Sequence, residues 1–144
     1  MTRYILQIVL LLLVTFYAYR KGGTPERHVA YVLVSMHAAG IGYFLIADQW
    51  VDYSGHALFR IAVDVVALIA LTIIALRANR WWPLWVSSVQ LLAVMAHVLK
   101  AVEPDMPLLI WNVMERWPFW AAIVLTGFGT HLYNRRNSAA ASMP

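Results

Sequence analysis

The chain has 144 residues, 62% of them hydrophobic and only 12% charged, with a mean hydropathy of +0.65. Those values exclude a soluble domain, which needs far more polar side chains to cover itself, whereas lipid accepts apolar ones on the outside of a helical bundle. The formal net charge of +4 does not point to nucleic acid, because the basic residues sit beside apolar stretches, and the absence of cysteine excludes disulfides, thiolate catalysis and Cys-ligated metals.

In chain order, the first apolar stretch predicts a span at about residues 4–19, closed by Arg20, Lys21 and the Gly22-Gly23 pair. Phe16, Tyr17, Tyr19 and Arg20 are too large and too basic for a signal-peptide cleavage site, so the span is read as retained. Thr24, Pro25 and Glu26 form a helix start: Thr24 as N-cap, Pro25 where its missing N–H costs nothing, Glu26 in the favourable first turn. A second span follows at about 27–47, then a polar, acidic segment at 48–55 and a third span at about 56–76. Asn79 and Pro83 mark the start of a fourth, at about 82–100, which Pro104 and Pro107 end. Trp117-Pro118 interrupts the next apolar stretch. Either a short interfacial helix at about 108–116 precedes a fifth span at about 118–133, or one kinked helix covers both; the first is favoured because Asn112, Glu115 and Arg116 share one face. Residues 135–144 read as a disordered cytoplasmic tail. The expected fold is an all-α polytopic transmembrane bundle of five spans forming one membrane domain over 1–134.

Arg20, Lys21, Arg27, Arg77, Arg80, Arg135 and Arg136 follow the first, third and fifth spans, whereas the opposite side holds Arg3, Lys100 and Arg116 with most of the acids. The positive-inside rule therefore predicts a periplasmic N-terminus and a cytoplasmic C-terminus. Trp81, Trp82, Trp85 and Tyr133 suit an inner aromatic belt, and Trp50, Tyr53, Trp111, Trp117 and Trp120 an outer one.

An ionisable residue within a span costs about 2.5–3.5 kcal/mol on insertion scales, so each needs a reason. His56, Arg60 and Asp64 recur every four residues on one stripe of the third span, with Asp64 about 12 Å below the outer boundary. The bland reading pairs Arg60 with Asp64 inside the helix. The functional one adds Ser87, Gln90 and His97 from one face of the fourth span and His37 from the second, giving a buried polar cluster of His37, Asp64 and Gln90 with Arg60, His97 and His56 leading outward. Such a cluster suits a proton relay, a polar headgroup or a quinone; interhelical hydrogen bonding, at about 0.6 kcal/mol per contact, is the commoner use.

Histidines in spans also raise haem or a chlorophyll-type pigment, whose two axial imidazoles need nearly equal depth. His37 and His97 differ by roughly 10 Å and pair poorly, and His56 with His97 by about 5 Å. Asp48, Asp52, His56, Glu103 and Asp105 near the outer surface are candidate ligands for zinc or a harder cation, but their spacing fits no metal motif and acidic loops are usually just solvated. Ala38 and Gly42, and Ala122, Thr126 and Thr130, recur at four-residue steps and let helices approach closely, within the bundle or against another protein.

The stretch Ala75-Leu76-Arg77-Ala78-Asn79-Arg80-Trp81-Trp82-Pro83-Leu84-Trp85, followed by residues 90–100, resembles small polytopic membrane proteins of sphingomonad-type alphaproteobacteria that carry no assigned function. The resemblance extends over most of the chain, implies a bacterial inner membrane and transfers no functional residue.

Short spans joined by tight loops leave almost no extramembrane domain to house an activity, and no catalytic motif is present. The sequence therefore predicts an accessory, scaffold or assembly protein acting through helix contacts with a membrane-protein partner or a second copy. The alternative is a membrane-embedded site for a lipid, quinone or haem-like cofactor, or a proton relay, on the polar stripe.

Overall fold

The computed structural model describes residues 2–47, 53–103, 105 and 107–141. They form five helices: α1 (Thr2–Lys21), α2 (Thr24–Ala47), α3 (Tyr53–Arg77), α4 (Trp82–Val102) and α5 (Leu108–Ala141). Each helix packs on the next and α5 closes back onto α1, so the bundle is a ring, with α5 also touching α2.

Short connections force the helices to alternate in direction. Gly22 donates to the Ala18 carbonyl at 2.9 Å, and a Cβ at Gly22 would lie 2.7 Å from that of Glu26, so this turn requires glycine. The first bond of α2 runs from the Arg27 N–H to the Gly23 carbonyl at 3.2 Å, one residue earlier than a Thr24 cap places it. Ala78 N–H closes α3 on the Ile74 carbonyl at 2.8 Å, and Asn79 turns the chain with φ 46, the left-handed conformation that asparagine tolerates. Pro83 then occupies the first turn of α4, where it removes no needed donor.

The core is formed by Leu11, Val29, Leu33, Leu71, Trp82, Val86, Ala122 and Ile123. Outside it, Leu12, Leu13, Phe16, Leu45, Ile46 and Leu76 are exposed, an arrangement suited to lipid. Four helices, α1 to α4, are long and apolar enough to cross a membrane.

The helix α5 corrects two expectations. In place of an interfacial helix at 108–116 and a separate span, one 34-residue helix contains Pro118. Proline removes one backbone donor, but Phe119 packs against the core and Ala122 and Ile123 belong to it, so tertiary packing on both neighbours carries the chain through. The tail is also helical through Ala141, because Arg135, Arg136 and the alanines at 139–141 are strong helix formers that simply extend α5. At about 51 Å this helix exceeds the hydrocarbon thickness of about 30 Å.

Candidate functional site

The helices α3 and α4 meet along a seam of polar groups. Near the middle of α3, Asp64 accepts from Gln90 Nε2 at Oδ1 (3.0 Å) and lies 2.8 Å from His97 Nε2 at Oδ2. Gln90 Nε2 also reaches the Asp64 carbonyl at 3.3 Å. Both carboxylate oxygens are thereby engaged, which offsets the cost of a carboxylate at this depth. Two turns further along α3, the Thr72 and Ser87 hydroxyls bond at 2.8 Å. His97 also meets the edge of Trp111 on α5, with ring centroids 5.5 Å apart.

Arg60 does not pair with Asp64 along its own helix. It forms an ion pair across the bundle with Glu115 of α5, whose side chain is largely buried while that of Arg60 is more than half exposed. The correction follows from the continuity of α5. Once helix replaces a break at Trp117-Pro118, Glu115 falls four residues before Phe119 and turns inward with it. Arg60, one turn before Asp64 on α3, reaches α5 while α4 satisfies Asp64.

Between these groups a cavity of about 310 Å³ opens among all five helices, lined in part by His37, Arg60, Asp64, Gln90, Glu115 and Phe119. His37 stands across it from Asp64's seam, stacked between Tyr4 (centroids 5.4 Å) and Phe119 (5.6 Å). Its Nε2 is shielded from solvent and has no hydrogen-bond partner among the described residues. Asp64, Gln90, His97 and Arg60 are thus brought to one site, and His37 faces it without joining the hydrogen-bonded cluster.

Neither of the outer-face candidates whose side chains are described, Glu103 and Asp105, lines the cavity. Asp48 and Asp52 lie outside the described residues, as does the side chain of His56, and Glu103 and Asp105 are exposed. Among the described residues no group of three or more His, Cys, Asp or Glu is placed to hold a metal ion. Of the axial pair weighed for haem, His97 Nε2 is engaged by Asp64, and the side chain of His56 lies outside the described residues.

Of the small residues, Ala122, Thr126 and Thr130 are buried within the bundle, and the two threonine hydroxyls return to carbonyls four residues back, at 2.8 Å and 2.9 Å. Ala38 is exposed, and a Cβ at Gly40 or Gly42 would meet nothing within 4 Å. The close approach is at Gly129. A Cβ there would lie 2.6 Å from Cε2 of Trp82.

Sequence reasoning also passed over Glu26, read as a helix-start acid. It is fully buried, and its Oε1 accepts from Arg80 Nη1 at 3.0 Å, with the Arg80 guanidinium 4.5 Å from the Tyr133 ring centre. The Gly22-Gly23 turn was the available signal, since glycines before an acid let another element close over it.

No family model matches the chain, and neither a curated protein nor a solved structure does. Functional inference therefore rests on the geometry of the site.

Proposed function

We propose that this protein is a multi-pass membrane protein that binds a small amphipathic molecule in the cavity at the centre of its outer half. The observation that supports this reading is the cavity itself: about 310 Å³, walled by the Phe59 and Phe119 rings on one hand and by Asp64, Gln90 and the Arg60–Glu115 pair on the other. Concave, mostly apolar space with a few convergent polar groups is the usual form of a small-molecule site. In this reading α5 is a fifth span, the N-terminus is periplasmic and the C-terminus cytoplasmic, in a bacterial inner membrane. Its charge-free stretch at 117–133 and the basic residues beyond it support that orientation.

The test is extraction of tagged protein from native membranes, followed by mass spectrometry of the organic extract. Gly40→Phe fills the cavity from α2, where a Cβ meets open space. A molecule carried by the wild type and lost in Gly40→Phe supports the reading, and identical extracts would sink it.

The accessory reading keeps one specific support. On α2 Ala38 is exposed and a Cβ at Gly42 would meet nothing within 4 Å among the described residues, and such small-residue faces let a second helix approach. Gly42→Leu would then dissociate a complex in native membranes while leaving the fold intact; an unchanged complex would count against this role.

A further inference from the structure

Two guanidinium groups on the cavity wall have donor capacity to spare. Asp64 has both oxygens taken by donors from α4, and Glu115 is held by Arg60. Arg116, which also lines the cavity, has no partner among the described residues, and Arg60 offers five N–H groups of which Glu115 cannot occupy all. His37 Nε2 is a buried ring nitrogen with no hydrogen bond among the described residues. Met36, Ile41, Phe59 and Val63 give the wall an apolar part, beside the polar Gln7.

From this we infer, on the reading that the cavity is a binding site, that its occupant is a single-chain amphiphile with an anionic head, a carboxylate or a phosphate. The head sits at the guanidinium of Arg116, the one cation on the wall without a carboxylate partner among the described residues, and takes further bonds from Arg60. Guanidinium groups match both heads in bidentate geometry. The chain lies against the apolar wall and the Tyr4–His37–Phe119 stack. A volume of about 310 Å³ at the low end for ligand sites suits part of one chain, not the two of a diacyl lipid.

The test measures direct binding of four chain-labelled probes to the full-length protein in decyl maltoside: dodecanoate, dodecyl phosphate, dodecanol and dodecyltrimethylammonium. Both anions are expected to bind about tenfold or more tighter than dodecanol, as loss of a charged hydrogen bond predicts, and the cation weakest. The tighter of the two anions assigns the source, a free fatty acid or a lysophospholipid. Arg116→Gln should erase the advantage of the anions over dodecanol, and a thermal unfolding midpoint equal to that of the wild type shows that the variant is folded. If dodecanol binds as tightly as the anions, or the cation binds best, the anionic head is overturned and the cavity stands as a site. If none of the four binds while native extracts still lose a molecule in Gly40→Phe, the inferred class falls and the site again stands. Failure of both experiments removes both.

Discussion

Glu26 and Arg80, 54 positions apart in sequence, form an ion pair at 3.0 Å that ties the α1–α2 turn to the α3–α4 turn. The carboxylate is wholly buried and the guanidinium about three-quarters so. Removing one partner strands a charge, which is costlier than removing both. Arg80→Gln is therefore expected to lower stability by about 3 kcal/mol. The double variant Glu26→Gln with Arg80→Gln should recover part of that loss, as read from detergent-unfolding curves. A double variant no better than Arg80→Gln alone would contradict the stranded-charge account.

The contact between Asp64 and His97 makes a second, smaller prediction. Hydrogen bonds between helices in membranes average about 0.6 kcal/mol and reach about 1.7 kcal/mol, because the unfolded chain also finds partners. A double-mutant cycle of Asp64→Asn and His97→Phe should give a coupling within that range. Asp64→Leu should cost more than Asp64→Asn, since it takes the acceptor from His97 and leaves Gln90 only the carbonyl of residue 64. Zero coupling would mean the pair is not formed in the membrane.

How much of this was legible depended on whether a residue's partner lay within the reach of helical periodicity. The stripe of Ser87, Gln90 and His97 on α4 could be read from offsets of three and seven, and so could its meeting with Asp64, because neighbouring antiparallel helices share depth. The partner of Arg60 could not, because it lies on α5 and the proline at 118 made that helix look broken. Local propensity near Pro118 was overruled by packing of Ala122 and Ile123 on their neighbours. The same spacing, Glu115 to Phe119 and then Ala122, Thr126 and Thr130, would have placed Glu115 inward had the helix been carried through. Burial of Glu26 escaped for a different reason: a first-turn acid is favourable in solution or at a membrane surface, and only the fold of a distant turn brings Arg80 to it.

Close packing supplies a third prediction through glycine. Gly129 sits against the Trp82 ring, where an added Cβ would lie 2.6 Å from Cε2, so Gly129→Ala should destabilise by about 1–3 kcal/mol through overpacking. Gly42→Ala, with nothing within 4 Å of the new methyl group, should be neutral or slightly stabilising because alanine favours helix. Thermal unfolding of the two variants in the same detergent checks the contrast. Equal losses would mean that the Trp82 side chain moves aside at little cost.

Topology gives the last prediction, and the chain's lack of cysteine makes it simple to test. Asp105 precedes α5 and Ser138 lies in its last turns, both exposed and at opposite ends of a continuous helix. If α5 spans the membrane with the basic residues Arg135 and Arg136 inside, an impermeant maleimide applied to intact cells will label Asp105→Cys and not Ser138→Cys. Labelling of both positions would put the two ends of a helix about 51 Å long on the same side, which requires α5 to lie outside the bilayer. Labelling of Ser138→Cys alone would invert the protein. The cavity would then face the cytoplasm, and an anionic amphiphile would have to arrive from that leaflet.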